Sequence, residues 1–480
     1  MLTQLHNLAT LLNTEVPWSA LDLATADGYA AFLSSLKPWL LGTPQWAWRG
    51  EPGAGDAATQ RHGERDAPPL DCGASRYRHA FSAAGARNTA RKPRAIVDFI
   101  PFGYDVDLLE VRFLELYADV DLFVVSECSS TQSGVEKPLF FNELRESARF
   151  RQFLPKVMHI IYPDPTGGAT SAKETKELSR MVADARNGGW ELEKFFRELP
   201  VIKLAEAFAR PGGVAQLPGL SVTDLDDDVV AIQGDADEIP TRRTMHHLKH
   251  CDLVEGLQWP LYLPALSGKK TVQWLQTTKA DAKRGDAILI DHDHDGAREL
   301  LAHIWRPGPY VWPLAAMIAA KDTLRYVKQF DGDGKAGSAA HTGMASAFHM
   351  SSPLEPGLYW LKRGGGIEQS FAGAVSDAIT SAAAKRAAVT PRIILDGTAS
   401  PWCSTEGSPT QRAKFVGGES ADGGFSDAAR ALALESVPYA LRAYRKRFCF
   451  HYPTPFGLYG ETAQKEWGNV CDGSSPPPTY

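Results

Sequence analysis

Four short runs of β-branched and aromatic residues, separated by stretches with helical spacing, constrain the fold of this chain more than any other feature. They are Arg94–Pro101 (RAIVDFIP), Asp121–Ser126 (DLFVVS), Lys156–Tyr162 (KVMHIIY) and Asp228–Gln233 (DVVAIQ). Runs this short and this apolar suit strands buried on both faces. Asp107–Tyr117 follows the first run, with Leu108, Val111 and Leu114 placed to face a sheet, and Ala172–Arg186 and Glu191–Phe208 lie between the third and fourth. Strands alternating with helices predict an α/β fold with a mainly parallel sheet covered on both faces.

Composition sets the surroundings of that centre. Residues 1–49 read as a helical segment carrying Trp18, Trp39, Trp46 and Trp48. Residues 50–93, rich in Gly, Ala, Pro and charge without an apolar period, read as a flexible linker. The α/β domain is expected over 94–375 and a C-terminal extension over 376–480, the latter holding a strand at Arg392–Leu395 and a helix at Asp427–Arg447. Beyond Pro240 the pattern gives a helix at Arg242–Lys249 and a strand at Asp252–Tyr262.

With 57 acidic against 51 basic residues, the net charge of −6 provides no positive field for a phosphate backbone, so nucleic acid is not expected as a partner. No apolar run reaches the roughly 18 residues of a transmembrane helix. The start MLTQLHNLATLL lacks the basic opening and cleavage site of a signal peptide. Six cysteines without a C-x-x-C pair argue against a zinc ribbon or a thioredoxin-type site, and leave both disulfides and reduced thiols open.

The chemistry centres on Asp235-Ala236-Asp237-Glu238-Ile239-Pro240, directly after the run VVAIQG. Its carboxylates emerge at the C-terminal end of a parallel strand, where open α/β sheets place ligands. Residues two apart share a side of an extended segment, so Asp235 and Asp237 can face one site while Glu238 faces away or packs beneath it. Hard carboxylate oxygens suit Mg²⁺ or Mn²⁺. Such a cation would offset the charge that gathers on a departing nucleotide diphosphate. The plainer alternative is that an Asp here caps the helix beginning near Thr241. A nucleotidyltransferase would need a Gly-rich basic loop after the first strand, whereas Pro101–Asp107 (PFGYDVD) is acidic with one glycine.

Four blocks in matching order resemble glycosyltransferase family seventeen: Asp105–Glu127 (DVDLLEVRFLELYADVDLFVVSE), Lys137–Phe141 (KPLFF), Gly189–Arg197 (GWELEKFFR) and Asp226–Pro240 (DDDVVAIQGDADEIP). The resemblance implies a GT-A, Rossmann-like fold and a metal-dependent inverting transferase. It would move N-acetylglucosamine from UDP-GlcNAc to a mannose of an N-linked glycan on a glycoprotein. Manganese or magnesium would be the cofactor, and the Golgi or another secretory lumen the compartment. Another sugar or polysaccharide acceptor, or a noncatalytic glycan-binding protein on a degenerate GT-A fold, stays open.

The same resemblance distributes roles. Asp235 and Asp237 become metal ligands, Asp237 and Glu238 the catalytic candidates, and Phe102, Asp107, Glu127, Arg197 and Asp235 the donor-pocket candidates. Arg112 and Glu115 match family positions and read equally as a helix-surface ion pair at three-residue spacing. Trp190, Glu193 and Arg197 match a Trp, an acid and an Arg; a core tryptophan, a solvated helix pair and an arginine on phosphate all remain open. Ser346–Ser352 (SAFHMSS) looks like the family's W-H-C-S segment with Phe348 for Trp and Met350 for Cys, and His349 is either a third metal ligand or an ordinary buried histidine. Glu355 and Glu368 are further candidates for a general base. Asp291–Asp295 (DHDHD) reads as a solvated turn, with metal binding as the alternative, and the basic run Arg442–Arg447 as an exposed helix face or an anionic-surface contact.

Overall fold

The structure is a computed structural model describing residues 70, 72–73, 80–86, 93–103, 105–132, 134, 136–147, 149–187, 189–210, 229–254, 261–263, 265–267, 287–291, 298–305, 309–320, 347–349 and 438. The expectations for residues 1–49, Arg392–Leu395, Asp427–Arg447 apart from Pro438, Arg442–Arg447, Glu355 and Glu368 lie outside these.

In chain order the elements are β1 (Phe81–Ala86), β2 (Ala95–Phe102), α1 (Val106–Leu116), β3 (Leu122–Cys128), α2 (Phe140–Leu144), β4 (Val157–Tyr162), α3 (Ala169–Arg186), α4 (Glu191–Ala209) and β5 (Val229–Gln233). They continue with β6 (Glu238–Pro240), α5 (Arg242–His250), β7 (Cys251–Leu253), β8 (Leu261–Tyr262), β9 (Ala265–Ser267), β10 (Ala287–Asp291), β11 (Arg298–Trp305), β12 (Tyr310–Pro313), α6 (Leu314–Ala320) and β13 (Ala347–His349). Each of the four buried runs in the sequence is a strand, β2 to β5.

Among the described residues the largest sheet has the order β4-β3-β2-β5-β12-β8. Its first four strands are mutually parallel, and β12 runs antiparallel to both β5 and β8. The fold is therefore mixed α/β with a mostly parallel central sheet. Strand alternation sorts the side chains. Val97, Phe99, Leu122, Val124, Val229 and Ala231 face a core built with α3, α4 and α6. Their neighbours in sequence point to the opposite face, where Phe113 of α1 meets Phe123 with ring centroids 4.8 Å apart. Phe113 also lies against Phe141, Phe150 and Phe153, so α1 and α2 close that face with aromatic rings.

Pro200 sits inside α4 and cannot donate to the carbonyl four residues earlier. The freed Phe196 oxygen accepts a hydrogen bond from Ser126 Oγ of β3 at 3.4 Å. One residue on, the Arg197 oxygen accepts from Gln233 Nε2 of β5 at 2.8 Å. Two strands thus grip the helix by its backbone, and this fixes where Arg197 stands.

A second sheet, β10-β11-β9-β13-β6, begins at the residue where the acidic motif ends. Its strand β13 pairs antiparallel with β6, setting His349 opposite Glu238, Phe348 opposite Ile239 and Ala347 opposite Pro240. The single strand expected over Asp252–Tyr262 is instead β7 and β8, which belong to different sheets.

The stretch read as linker also departs from expectation. Within it, β1 pairs antiparallel with β7, and Cys72 forms a disulfide with Cys251 across 179 positions of sequence. Local composition is silent about both, because strand partner and cysteine partner lie far along the chain. Cys128 is a free, buried thiol whose pKa burial pushes up to about 11. Among the described residues no helix is long and apolar enough to cross a membrane.

A cross-link closing so long a loop restricts the unfolded chain by roughly 5 kcal/mol in the chain-entropy model, and measured losses run to about 2–5 kcal/mol. We expect Cys72→Ser to lower the unfolding free energy by about 2–5 kcal/mol in urea titrations. Reductant should cost the wild type the same amount and the variant nothing further.

Candidate functional site

Strand β5 is buried along its length and delivers the acidic turn at its C-terminal end. Gly234 opens the turn, and a Cβ there would stand 3.0 Å from Pro309 Cβ and 3.2 Å from Glu238 Oε2. A side chain would press on both neighbours more tightly than ordinary packing allows, so close approach favours glycine here. The turn then closes on itself through two bonds. Glu238 N–H donates to the Asp235 carbonyl at 2.9 Å, and Asp235 N–H donates to Glu238 Oε2 at 3.0 Å.

Arg112 holds this loop from below. Its Nη1 donates to the carbonyls of Asp235 at 2.6 Å and Glu238 at 2.8 Å. Its Nε and Nη2 donate to the two oxygens of Asp98 on β2 at 2.8 and 2.7 Å, with both side chains wholly buried. A bidentate guanidinium–carboxylate pair whose remaining donors meet carbonyls satisfies the desolvation requirement of a buried charge. The helix-surface reading of Arg112 is thus corrected. Glu115 is buried as well, at 2% exposure. Three-residue spacing on a helix says nothing about which face meets a strand carboxylate 14 positions back.

Arg197 approaches from the opposite side of the sheet. It donates to Asp235 at 2.7 and 3.1 Å and to Glu193 Oε1 at 2.9 and 3.1 Å. Burial by itself would push the guanidinium pKa down, but Asp235 and Glu193 outweigh it and raise the pKa. The helix pair expected from sequence exists, yet it is buried rather than solvated, and its target is a carboxylate of the acidic turn. Arg197 is 2% exposed. The Asp235 side chain keeps 30% of its surface open, while residue Asp237 keeps 4% and Glu238 1%.

Thr241, not an aspartate, caps α5, its hydroxyl accepting from Thr244 N–H at 3.2 Å. The capping alternative for the acidic motif is therefore removed. Glu238, with one oxygen bound to the Asp235 amide and almost no exposed surface, supports the turn and offers little to an acceptor hydroxyl.

The remaining candidates divide. Glu127 is wholly buried, and its oxygens accept the N–H groups of Phe141 at 2.9 Å and Asn142 at 3.0 Å. Lys137 Nζ lies 3.8 Å from one oxygen and His159 Nε2 3.3 Å from the other. Burial lowers the Lys137 pKa, against the pull of Glu127. A carboxylate that accepts two amides at the start of a helix, with Lys137 and His159 beside it, has the surroundings of a capping group, and its oxygens are engaged inside the protein. Phe102 is 5% exposed and meets Phe141 edge-on at 6.2 Å, which places it in the packing beneath α2. Asp107 lies in the first turn of α1, and its side chain is outside the described residues. The same holds for the His349 side chain and for residues 292–295.

Among the described residues no three His, Cys, Asp or Glu side chains converge as a set able to hold a metal ion. The oxygens on the turn have the hardness that Mg²⁺ or Mn²⁺ takes. Asp235, however, shares its carboxylate with a guanidinium, against which a cation there would have to compete.

Residues 79–183 match the family model described as Glycosyltransferase family 17. The chain is also similar to proteins named beta-1,4-mannosyl-glycoprotein 4-beta-N-acetylglucosaminyltransferase from Rattus norvegicus, Homo sapiens and Mus musculus. Each is 32% identical over 161 residues, 33% of this chain and 24% of the relative, so the chain matches about a quarter of the length of these curated relatives. No solved structure matches it. The family resemblance carried by the sequence blocks is thereby shown. The segment matched by the family model includes Asp98, Arg112 and Glu127 and ends before Arg197 and the acidic turn.

Removing one member of a buried ion pair leaves the other charged and unpaired. Arg112→Gln should cost about 3–5 kcal/mol in denaturant unfolding. The double variant Asp98→Asn/Arg112→Gln should recover a measurable part of that loss, and strict additivity of the two single changes would show that the pair is not coupled.

Proposed function

We propose that this chain is a metal-dependent inverting glycosyltransferase of the GT-A type, moving N-acetylglucosamine from UDP-GlcNAc to a mannose of an N-linked glycan. The observation that carries this reading is the acidic turn 235–238, fixed at the C-terminal end of a central parallel strand by a wholly buried arginine. Ligands of open α/β sheets bind at that edge. The matched family and the names of the relatives support the transferase class, the donor sugar and the mannose acceptor.

In this reading Asp237 and Asp235 would hold the cation, and His349, whose backbone pairs with that of Glu238 in the strand register, would join them. Bound there, Mn²⁺ or Mg²⁺ would stabilise the negative charge that grows on the leaving diphosphate. The protein's own contribution is preorganisation. Arg112 and Glu238 fix the backbone of the turn, and Arg197 fixes the Asp235 carboxylate, so no side chain has to reorganise as charge moves. Gln233 and Pro200 secure Arg197 in turn. The Cys72–Cys251 disulfide supports an oxidising compartment, as a secretory lumen provides.

The test is release of UDP from a panel of UDP-sugars with Mn²⁺, with and without mannose-terminated N-glycan acceptors. Asp237→Asn should lower kcat by at least about a hundredfold with an unchanged unfolding midpoint, the scale expected for loss of a principal electrostatic group. Full turnover in that folded variant would refute the assignment. Glu238→Gln, which keeps an oxygen acceptor for the Asp235 amide, should hold kcat within a few-fold of wild type; removal of a true general base costs about 10²–10⁴.

A further inference from the structure

Leu70, Ile202 and Trp190 are the exposed large apolar side chains among the described residues, and Trp190 is the most open of them at 55%. It stands at the N-cap of α4 and is exposed, so the reading of it as a core tryptophan is corrected. Its position relative to the acidic turn follows from helix geometry. Trp190 and Arg197 are seven positions apart and so return to nearly the same helix face. The Arg197 guanidinium reaches back to Glu193 at 2.9 Å, and from that level it holds Asp235. Glu193 lies three residues, roughly 4.5 Å of axial rise, from Trp190. Measured along the helix axis, the backbone of Trp190 therefore lies about one turn from the level at which the Asp235 carboxylate is held. The backbone on both sides of Trp190 is anchored to the end of α3. Gly189 N–H donates to the Asp184 carbonyl at 3.0 Å, Glu191 N–H donates to Asp184 Oδ2 at 3.3 Å, and Arg186 of the same helix end donates to the Gly134 carbonyl in the segment leaving β3.

The geometry points to Trp190 as a stacking platform for a pyranose ring of the acceptor glycan, an assignment that rests on the transferase reading above. Two properties select a neutral sugar. An indole presents a broad apolar face with a single N–H at its edge, which matches the C–H face of a pyranose flanked by hydroxyls. The nearby charge is balanced: the half-exposed Glu191 pairs with the exposed Arg180, and together they offer a carboxylate acceptor and a guanidinium donor beside the indole. Sugar hydroxyls can both donate to and accept from such a pair, and a neutral ring needs no surplus positive charge of the kind a phosphate group would seek.

The test uses the full chain and Trp190→Ala, with Trp190→Phe as the conservative variant. In the UDP-release assay, Trp190→Ala should raise the acceptor KM by about three- to tenfold, the range expected from loss of one aromatic contact. The donor KM should not move, and Trp190→Phe should recover most of the loss. A second arm titrates a mannose-terminated N-glycan core oligosaccharide into each protein without any nucleotide, read by NMR shift changes in the oligosaccharide. Weaker binding to Trp190→Ala supports the platform whatever the turnover. Equal binding to wild type and variant, no binding to either, or a rise in donor KM instead of acceptor KM would each overturn it. Absence of UDP release from the wild type with every donor, beside Trp190-dependent oligosaccharide binding, would refute the transferase reading and leave the platform standing.

Discussion

A single guanidinium ties together three parts of this molecule that sequence leaves unconnected. Arg112 makes four hydrogen bonds, two to Asp98 and two to carbonyls of the acidic turn, with no surface open to water. A buried charge is tolerated only when its donors are satisfied. Satisfying them joins strand β2, helix α1 and the turn after β5 into one unit. The carbonyls of Asp235 and Glu238 could not both move without stranding an N–H of the arginine. The turn is accordingly held by the fold's own electrostatics before any ligand arrives, which is the preorganisation that makes a charged site effective.

Arg197 supplies the second restraint, and it acts on a side chain rather than on backbone. It balances two carboxylates with one positive charge, so the group Glu193–Arg197–Asp235 keeps a net negative charge at the site. Asp235 is the partly open member, and a carboxylate has about four acceptor positions, so pairing with the arginine does not exhaust it. The proline within α4 belongs to the same arrangement. By removing one amide it lets strand side chains seize the helix backbone beside Arg197, and a helix defect becomes a positional clamp.

Legibility in the sequence followed the range of each interaction. The strands β2 to β5 and helices α1, α3 and α4 were readable because their signals repeat within a few residues. The acidic turn was readable as a motif at a strand end, and the family likeness that framed it is shown. What failed to show was long in range. Arg112 looked like half of a surface pair with Glu115, because its real partner is on another element. The Cys72–Cys251 bond and the pairing of β1 with β7 turn part of an apparent linker into ordered structure, and nothing near residue 72 could announce a partner 179 positions away.

Glu127 exposes a more general trap. A carboxylate at the C-terminal end of a parallel strand is where ligands are expected, yet this one is consumed by the amides that open α2. Strand-end position alone therefore does not assign a function, and what separates the groups at this edge is where their lone pairs go. Asp98, Glu127 and Glu238 spend theirs on arginine or amide donors inside the protein and shape the scaffold. Asp235 shares its own between an internal arginine and the outside, and Trp190 is the most exposed large apolar side chain among the described residues. The scaffold carboxylates are fixed by burial, so the chemistry open to a substrate has to be sought in the groups that the fold positions without enclosing.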